Sequence, residues 1–408
     1  MPQFSFPQVF SFSVIIVEPG LQMTKNLLIK NCRILNPSSK EIKESDISLE
    51  HGVIAKIEKV KKVYPSAKVL DAEGRIVTPG FIDLHIQGAG GADVLDGRKE
   101  SLEVISRTCA KFGATSFLAT TVFRPEEDNH HLEVASKSVG SDLGGANLLG
   151  IHLEGPFISA AKKGMILPDC ISSPSLEIFK KILNYSKGKL RIMTIAPEIK
   201  GNLKIIGTLL KKGIVASFGH SNASYEETLK GMKAGISHVT HLFNAMPSFH
   251  HRKPGPLLAI FQAKRVTAQI ISDGVHLRPE ILRFTYDLLG EDRCIVITDG
   301  MQAMGLPEGR YTYSGVEYES RKGTARYFDG TLVGTSLGLN QLLERFIRFS
   351  GCSLNAGIKA VTENPARVLG IQNRKGKIEV GKDADLVILD GDWSVWSTIV
   401  EGKVVFHK

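Results

Sequence analysis

The chain has 408 residues, a formal net charge of +9 and five cysteines. That length suits one large α/β barrel with a smaller appendage, and the lack of any run of eighteen apolar residues excludes a spanning helix. The cysteines (Cys32, Cys109, Cys170, Cys294, Cys352) are scattered and have no CxxC spacing, which argues for reduced thiols in the cytoplasm and against a cysteine zinc site. The charge favours anionic small molecules. Lysines cluster only in pairs (Lys61-Lys62, Lys162-Lys163, Lys211-Lys212), so they read as solvated surface, and neither nucleic acid nor membrane is an expected partner.

Residues 1–22 are apolar but lack a basic n-region, and Glu18-Pro19-Gly20 stands where a small-residue cleavage site would fall. Met23 then opens a strand pattern. The expectation for 1–22 is an upstream extension or start-site artefact, with a signal peptide as the alternative. Across 23–78, the runs LLIKNCRIL, DISLEHGVIAKIEKV and KVLDAEGRIVTPG read as short strands, punctuated at Glu50-His51-Gly52 and Ala72-Glu73-Gly74. Residues 373–408 have the same texture. Neither end holds enough strands for a core, so the two are expected to pair into one small β-sandwich domain.

Between them, over 79–372, strand and helix patterns alternate, which signals a parallel α/β architecture. Strands are predicted near 81–86, 115–122, 147–153, 191–196, 214–219, 238–242, 267–272 and 294–298. Eight strands imply a (β/α)8, TIM-like barrel. The helix predicted near 225–234 opens on Ser224 with Glu227 three residues later, a capping-box spacing. After the eighth strand, residues 310–334 read as an inserted β-hairpin over the rim, placed to line or cover a pocket.

Most of the predicted strands end on, or just before, a His or an acid: His85, Glu154, His220, His241, His276 and Asp299. Barrel strands deliver such residues to one open rim. A carboxylate at a buried strand terminus needs a partner, and Glu154 with His220 and His241 would leave one position of a catalytic divalent metal open. The bland alternative is three separately hydrogen-bonded rim residues. Asp299 suits a general base that takes a proton from water, or else an Asp capping its turn. His276 is either a group that polarises a carbonyl or a satisfied surface histidine. His250 and His251 sit beside Arg252-Lys253-Pro254, in a loop expected to be exposed. The Gly88-Ala89-Gly90-Gly91 run does not fit GxGxxG, so dinucleotide binding is rejected.

The segments PGFIDLHIQG, HLEGPF, GHSNA, THLFNAM, DGVH, TDG and GKIEVGKDADLVILD resemble the amidohydrolase superfamily. More narrowly, HLEGPF, THLFNAMPSFHHRKPG and DGVH are similar to the N-acetylglucosamine-6-phosphate deacetylase family, and the resemblance runs from Met23 onward. It implies hydrolysis of the N-acetyl amide of a phosphorylated amino sugar. It also implies metal ligands at Glu154, His220 and His241, a catalytic Asp at Asp299 and a carbonyl-facing His at His276. Sugar-phosphate contacts would come from Asn244 and Ala245, and further substrate contacts from Leu332, Val333 and Gly334. Arg252 would bind phosphate from the partner subunit of a homodimer.

Two positions depart from the family pattern. Where many amidohydrolases carry His-x-His and two metals, this chain has His85-Ile86-Gln87. One essential divalent ion is therefore expected, zinc ahead of iron, cobalt or manganese, with His85 and Gln87 as the only donors for a second. Where the family often places a small residue and a sugar-contacting His, this chain has Met165-Ile166 after Lys163-Gly164. That leaves a galactose-configured amino-sugar phosphate as the alternative substrate. A non-catalytic scaffold on the same fold is a second alternative, which metal content would separate.

Overall fold

The structure, a computed structural model, describes residues 26–37, 39, 41–60 and 68–408; the expected extension at 1–22 and the Lys61-Lys62 pair lie outside them. Five strands come first: β1 (Asn26–Ile34), β2 (Lys43–Glu50), β3 (Val53–Ile57), β4 (Lys68–Asp71) and β5 (Ile76–Pro79). The barrel then begins with β6 (Phe81–Ile86), followed by a short antiparallel pair, β7 (Gly88–Ala89) and β8 (Ala92–Asp93).

Helix α1 (Lys99–Lys111) leads to β9 (Ala114–Thr121), α2 (His130–Ser138) to β10 (Asn147–Glu154), and α3 (Leu176–Ser186) to β11 (Leu190–Ile195). Then α4 (Asn202–Lys211) precedes β12 (Val215–Phe218), and α5 (Tyr225–Ala234) precedes β13 (Ile236–Val239). Last, α6 (Gly255–Gln262) precedes β14 (Thr267–Ile270), and α7 (Pro279–Leu289) precedes β15 (Cys294–Val296).

The eight barrel strands are parallel and adjacent in chain order, β6-β9-β10-β11-β12-β13-β14-β15. The ring closes where Gln87 N and Gly88 N both donate to Gly300 O at 2.9 Å and Asp299 N donates to His85 O at 2.9 Å. All eight expected strands form. Three stop short of their functional residue, because the backbone turns left-handed at His220 (φ 46°), His241 (φ 26°) and Asp299 (φ 46°).

Strand periodicity sorts neighbouring side chains into different layers. Phe81 and Val296 join the main core, which also holds the α1 stripe Leu102, Ile105 and Cys109. Ile82, Leu84, Ile295 and Ile297 instead form a separate cluster with Ala366. The barrel interior is polar near its mouth. Thr194 Oγ1 of β11 meets Thr240 Oγ1, just past β13, at 2.8 Å, and His152 Nε2 of β10 meets Thr194 Oγ1 at 2.9 Å. These groups are buried and mutually satisfied, so they cost little in an otherwise apolar core.

The insert forms β16 (Gly309–Tyr313), β17 (Val316–Arg321), β18 (Thr324–Tyr327) and β19 (Leu332–Thr335), a four-stranded antiparallel meander rather than one hairpin. Its two-residue turns, Ser314-Gly315 and Lys322-Gly323, have positive φ at both positions, as tight hairpins require. Helices α8 (Leu339–Ser350), α9 (Leu354–Val361) and α10 (Glu363–Val368) follow, and α8 buries Leu339, Leu342, Leu343 and Phe346 at helical spacing.

The chain ends on β20 (Leu386–Leu389), β21 (Val395–Val400) and β22 (Lys403–His407). These join the first five strands in one eight-stranded mixed sheet, with β20 antiparallel to β5. Both chain ends thus build one mixed sheet beside the barrel strands, as the matching texture of the two segments predicts.

Candidate active site

Glu154 ends β10 and is 2% exposed. Its Oε1 lies 3.2 Å from His220 Nε2 and 3.3 Å from His241 Nε2, and those two nitrogens are 3.0 Å apart. His220 Nδ1 is 2.9 Å from the Lys162 carbonyl, which can only accept. The His220 proton is therefore held on Nδ1, and Nε2 presents a lone pair to the cluster.

Lone pairs from two imidazoles and a carboxylate converge in a buried space, and a cation relieves their repulsion. His241 Nδ1 is buried nearby without a hydrogen-bond partner, and His85 Nε2 faces Asp299 Oδ1 at 3.2 Å. Two His and one acid with positions left open match a catalytic divalent ion, and these residues fit one. Among the described residues, no other group of three His, Cys, Asp or Glu could hold an ion.

The local backbone is built for this convergence. Ser159 N donates to His220 O at 2.8 Å, so the loop after β10 grips the loop after β12. Ser221 Oγ and Asn222 N both donate to Glu198, at 2.7 and 2.6 Å, pinning the other side of His220. Positive φ at four non-glycine residues of one site, Ala245 (φ 53°) being the fourth, costs on the order of 1–3 kcal/mol each, a cost the surrounding contacts must offset.

His85 is fully buried behind this group. Its Nδ1 meets Gln269 Oε1 at 3.0 Å, while Nε2 lies 3.2 Å from Asp299 Oδ1 and 3.5 Å from Glu154 Oε2. Burial works against its protonation, but the Glu154 and Asp299 carboxylates outweigh it and lift the imidazole to about 9. For Glu154, burial pushes upward, and the surrounding imidazoles, the His85 charge first, hold the carboxyl well below its usual range. Gln87 Nε2 donates to Glu154 Oε2 at 3.2 Å.

Asp299 follows β15 and is 6% exposed. Its carbonyl accepts from Thr335 N at 2.9 Å, in a close approach that Gly334 permits. A Cβ at Gly334 would stand 2.4 Å from Asp299 O. Gly334 is not among the residues lining the cavity; it is where β19 meets the Asp299 backbone.

The His276 side chain is 3% exposed, and its Nδ1 meets Asp273 Oδ2 at 2.7 Å. Asp273 also accepts from Val275 N (2.9 Å), His276 N (2.8 Å) and Thr324 Oγ1 of the meander (3.3 Å). Burial pushes its carboxyl upward, but the hydrogen bond and charge of His276 prevail and hold it below the usual value. Sequence reasoning missed Asp273. The available signal was its place three residues before His276 in DGVH.

These groups open on a cavity of about 340 Å³ lined by Glu154, His220, His241, Asp299, His276, Asn244 and Ala245. The meander contributes Arg326, Gly330, Thr331, Leu332 and Val333, and the loop after β10 contributes Gly164 and Met165. Of the two departing residues, Met165 faces the cavity and packs with Tyr313, Tyr318 and Val333. Ile166 instead packs with Val122, Ile158 and Cys170. Arg252 is outside the lining, on an exposed loop with His250 and His251, where its Nη1 lies 2.8 Å from His251 Nε2.

Comparison with known proteins agrees with this geometry. Residues 76–405 match the amidohydrolase family. The N-acetylglucosamine-6-phosphate deacetylase of Bacillus subtilis (strain 168) is 36% identical over 389 residues, spanning 94% of this chain and 98% of the relative. An N-acetylgalactosamine-6-phosphate deacetylase of Escherichia coli O157:H7 is 30% identical over 88% of this chain and 94% of its own. A mutant N-acetyl-D-glucosamine-6-phosphate deacetylase of Mycobacterium smegmatis, solved in complex with N-acetyl-D-glucosamine-6-phosphate, superposes with a TM-score of 0.85. It is 28% identical, covering 93% of this chain and 99% of that one. The chain belongs to the amidohydrolase family, on the branch that holds the N-acetylglucosamine-6-phosphate deacetylases.

Proposed function

We propose that the protein hydrolyses the N-acetyl group of N-acetylglucosamine 6-phosphate, giving glucosamine 6-phosphate and acetate. The observation that carries this reading is the buried convergence of Glu154, His220 and His241 beside Asp299, at the mouth of a barrel of this family. Those three residues would hold one divalent ion, zinc first, with iron, cobalt or manganese also matching the donor set. An ion there, when bound, acidifies water and polarises an acyl carbonyl. A second ion is not favoured, because Gln87 turns its amide N–H toward Glu154 and His85 lies outside the ligand group.

Asp299 takes a proton from the attacking water and passes it to the departing nitrogen as the C–N bond breaks. His276, held through Nδ1 by Asp273, turns Nε2 to the acyl oxygen and steadies its developing charge. Asn244, Ala245, Leu332 and Val333 hold the sugar. Arg252, exposed and off its own cavity, suits a homodimer in which it reaches the partner's phosphate site. The five unpaired, buried cysteines suit a reducing cytoplasm.

A galactose-configured substrate is the second reading. It is favoured by Met165, which offers the cavity wall no hydroxyl-binding group to fix the hexose configuration. The test is acetate release from both phosphorylated sugars and from unphosphorylated N-acetylglucosamine, with a chelator control. Chelator-sensitive release from the glucose-configured phosphate is expected. Release from the galactose-configured sugar alone would transfer the assignment to it, and no release from any would remove it. In the same assay Asp299→Asn should lower turnover by a factor on the order of 10²–10⁴ with metal content unchanged.

A further inference from the structure

The catalytic cavity is graded in depth. Gln87, Met165 and Val333 line its inner end and are buried, whereas Gly330 is exposed and Thr331 and Leu332 are half-buried. An acylated amino-sugar phosphate has its acyl group and its phosphate at opposite ends of the ring. A phosphate dianion is costly to bury and stays toward solvent, while the scissile amide must reach Glu154, His220 and His241. The acyl group is then the end that points inward.

Met165 closes that inner end. The chain before it runs against a ligand imidazole, since a Cβ at Gly164 would stand 3.4 Å from His220 Cε1. Met165 follows directly, faces the cavity and packs with Met301, Tyr313, Tyr318 and Val333. It is 6% exposed, and Tyr313 and Tyr318 are buried. Its flexible thioether thus fills the gap between the cavity and an aromatic layer of the meander. A shorter side chain would leave a recess with largely apolar walls, suited to an alkyl chain.

We propose that Met165 is the wall against which the acyl group of the substrate fits, limiting the protein to short acyl groups such as acetyl. Met165 carries no charge and moves no proton. It sets specificity by filling the space that a longer acyl chain would need. The proposal rests on the deacetylase reading above, and the test separates the two. Metal-loaded wild type, Met165→Ala and Met165→Val are assayed for release of the free amine. The substrates are the N-acetyl, N-propionyl and N-butyryl forms of glucosamine 6-phosphate, together with N-acetylgalactosamine 6-phosphate.

Wild type should favour acetyl over butyryl in kcat/KM by roughly 100-fold or more, with propionyl between them. Met165→Ala should shrink that preference roughly 10- to 100-fold, by gaining on the butyryl sugar. Met165→Val, a smaller cut, should give an intermediate preference, and it decides the question alone if the alanine variant does not fold. The ratio between glucose- and galactose-configured acetyl sugars should stay as in wild type. A wild type that accepts butyryl as readily as acetyl, or a shift in hexose preference alone, would overturn the proposal. Acetate release with an unchanged acyl preference in the variants removes the Met165 wall and leaves the deacetylase reading standing. A wild type that releases no amine from any of these sugars removes both.

Discussion

Asp273 accepts hydrogen bonds from two backbone amides, from His276 Nδ1 and from Thr324, and its own carbonyl accepts from Arg345 Nη1 at 2.8 Å. A carboxylate there keeps a proton on Nδ1 and fixes the orientation of the imidazole ring that lines the cavity. Asp273→Asn should therefore lower kcat roughly 10- to 100-fold with metal content unchanged. In an Asp273→Asn/His276→Asn double variant the two losses should not add, since one acts through the other. Additive losses would give Asp273 an independent role. Glu154, His220, His241, His276 and Asp299 were legible because each follows a predicted strand closely. Asp273 carried a signal too, three residues before His276 in DGVH, whereas the Thr324 contact to it depends on where the meander comes to rest.

Helix α5 shows which local structure a sequence can specify. Ser224 Oγ accepts from Glu227 N at 3.1 Å, and Glu227 Oε2 accepts from Ser224 N at 2.8 Å, the reciprocal box its spacing predicts. Ser224→Ala should cost about 1 kcal/mol of stability, read as a lower urea midpoint with an unchanged slope. No change would mean that packing alone sets the helix start. The exits from β12, β13 and β15 are different. Their left-handed residues are His and Asp rather than Gly, so nothing in the sequence marks the turn that aims each side chain. The same holds for the meander. Its turn residues were readable as hairpin punctuation, but its four-strand extent was not.

For the whole molecule, buried histidines and buried carboxyls together shape the response to acid. His131 Nε2 donates to Val122 O (3.0 Å), and burial pushes the imidazole down to about 4; burial takes His238 down to about 3. Below the ordinary histidine value the unfolded chain takes up protons at these positions that the folded chain refuses. These two histidines therefore take stability away as pH drops from about 6.5 toward 4, against the buried Asp83 and Asp93, which burial raises to about 6 and about 7 and which act in the opposite direction. His131→Gln, which keeps an amide at Val122 O, should make the decline in Tm across that window shallower than in wild type. An identical decline would mean His131 is not among the groups responsible. The sequence by itself determined the barrel, the two-ended sheet, and the acids and imidazoles at the strand exits, because periodicity and turn chemistry are local and each strand carries its own signal. The tertiary structure decided which of those residues meet: the convergence of Glu154, His220 and His241 on one point, and the closing of the meander over the cavity they line. The three converging residues lie 21 to 87 positions apart, and the distances between their donor atoms exist only once the barrel has closed.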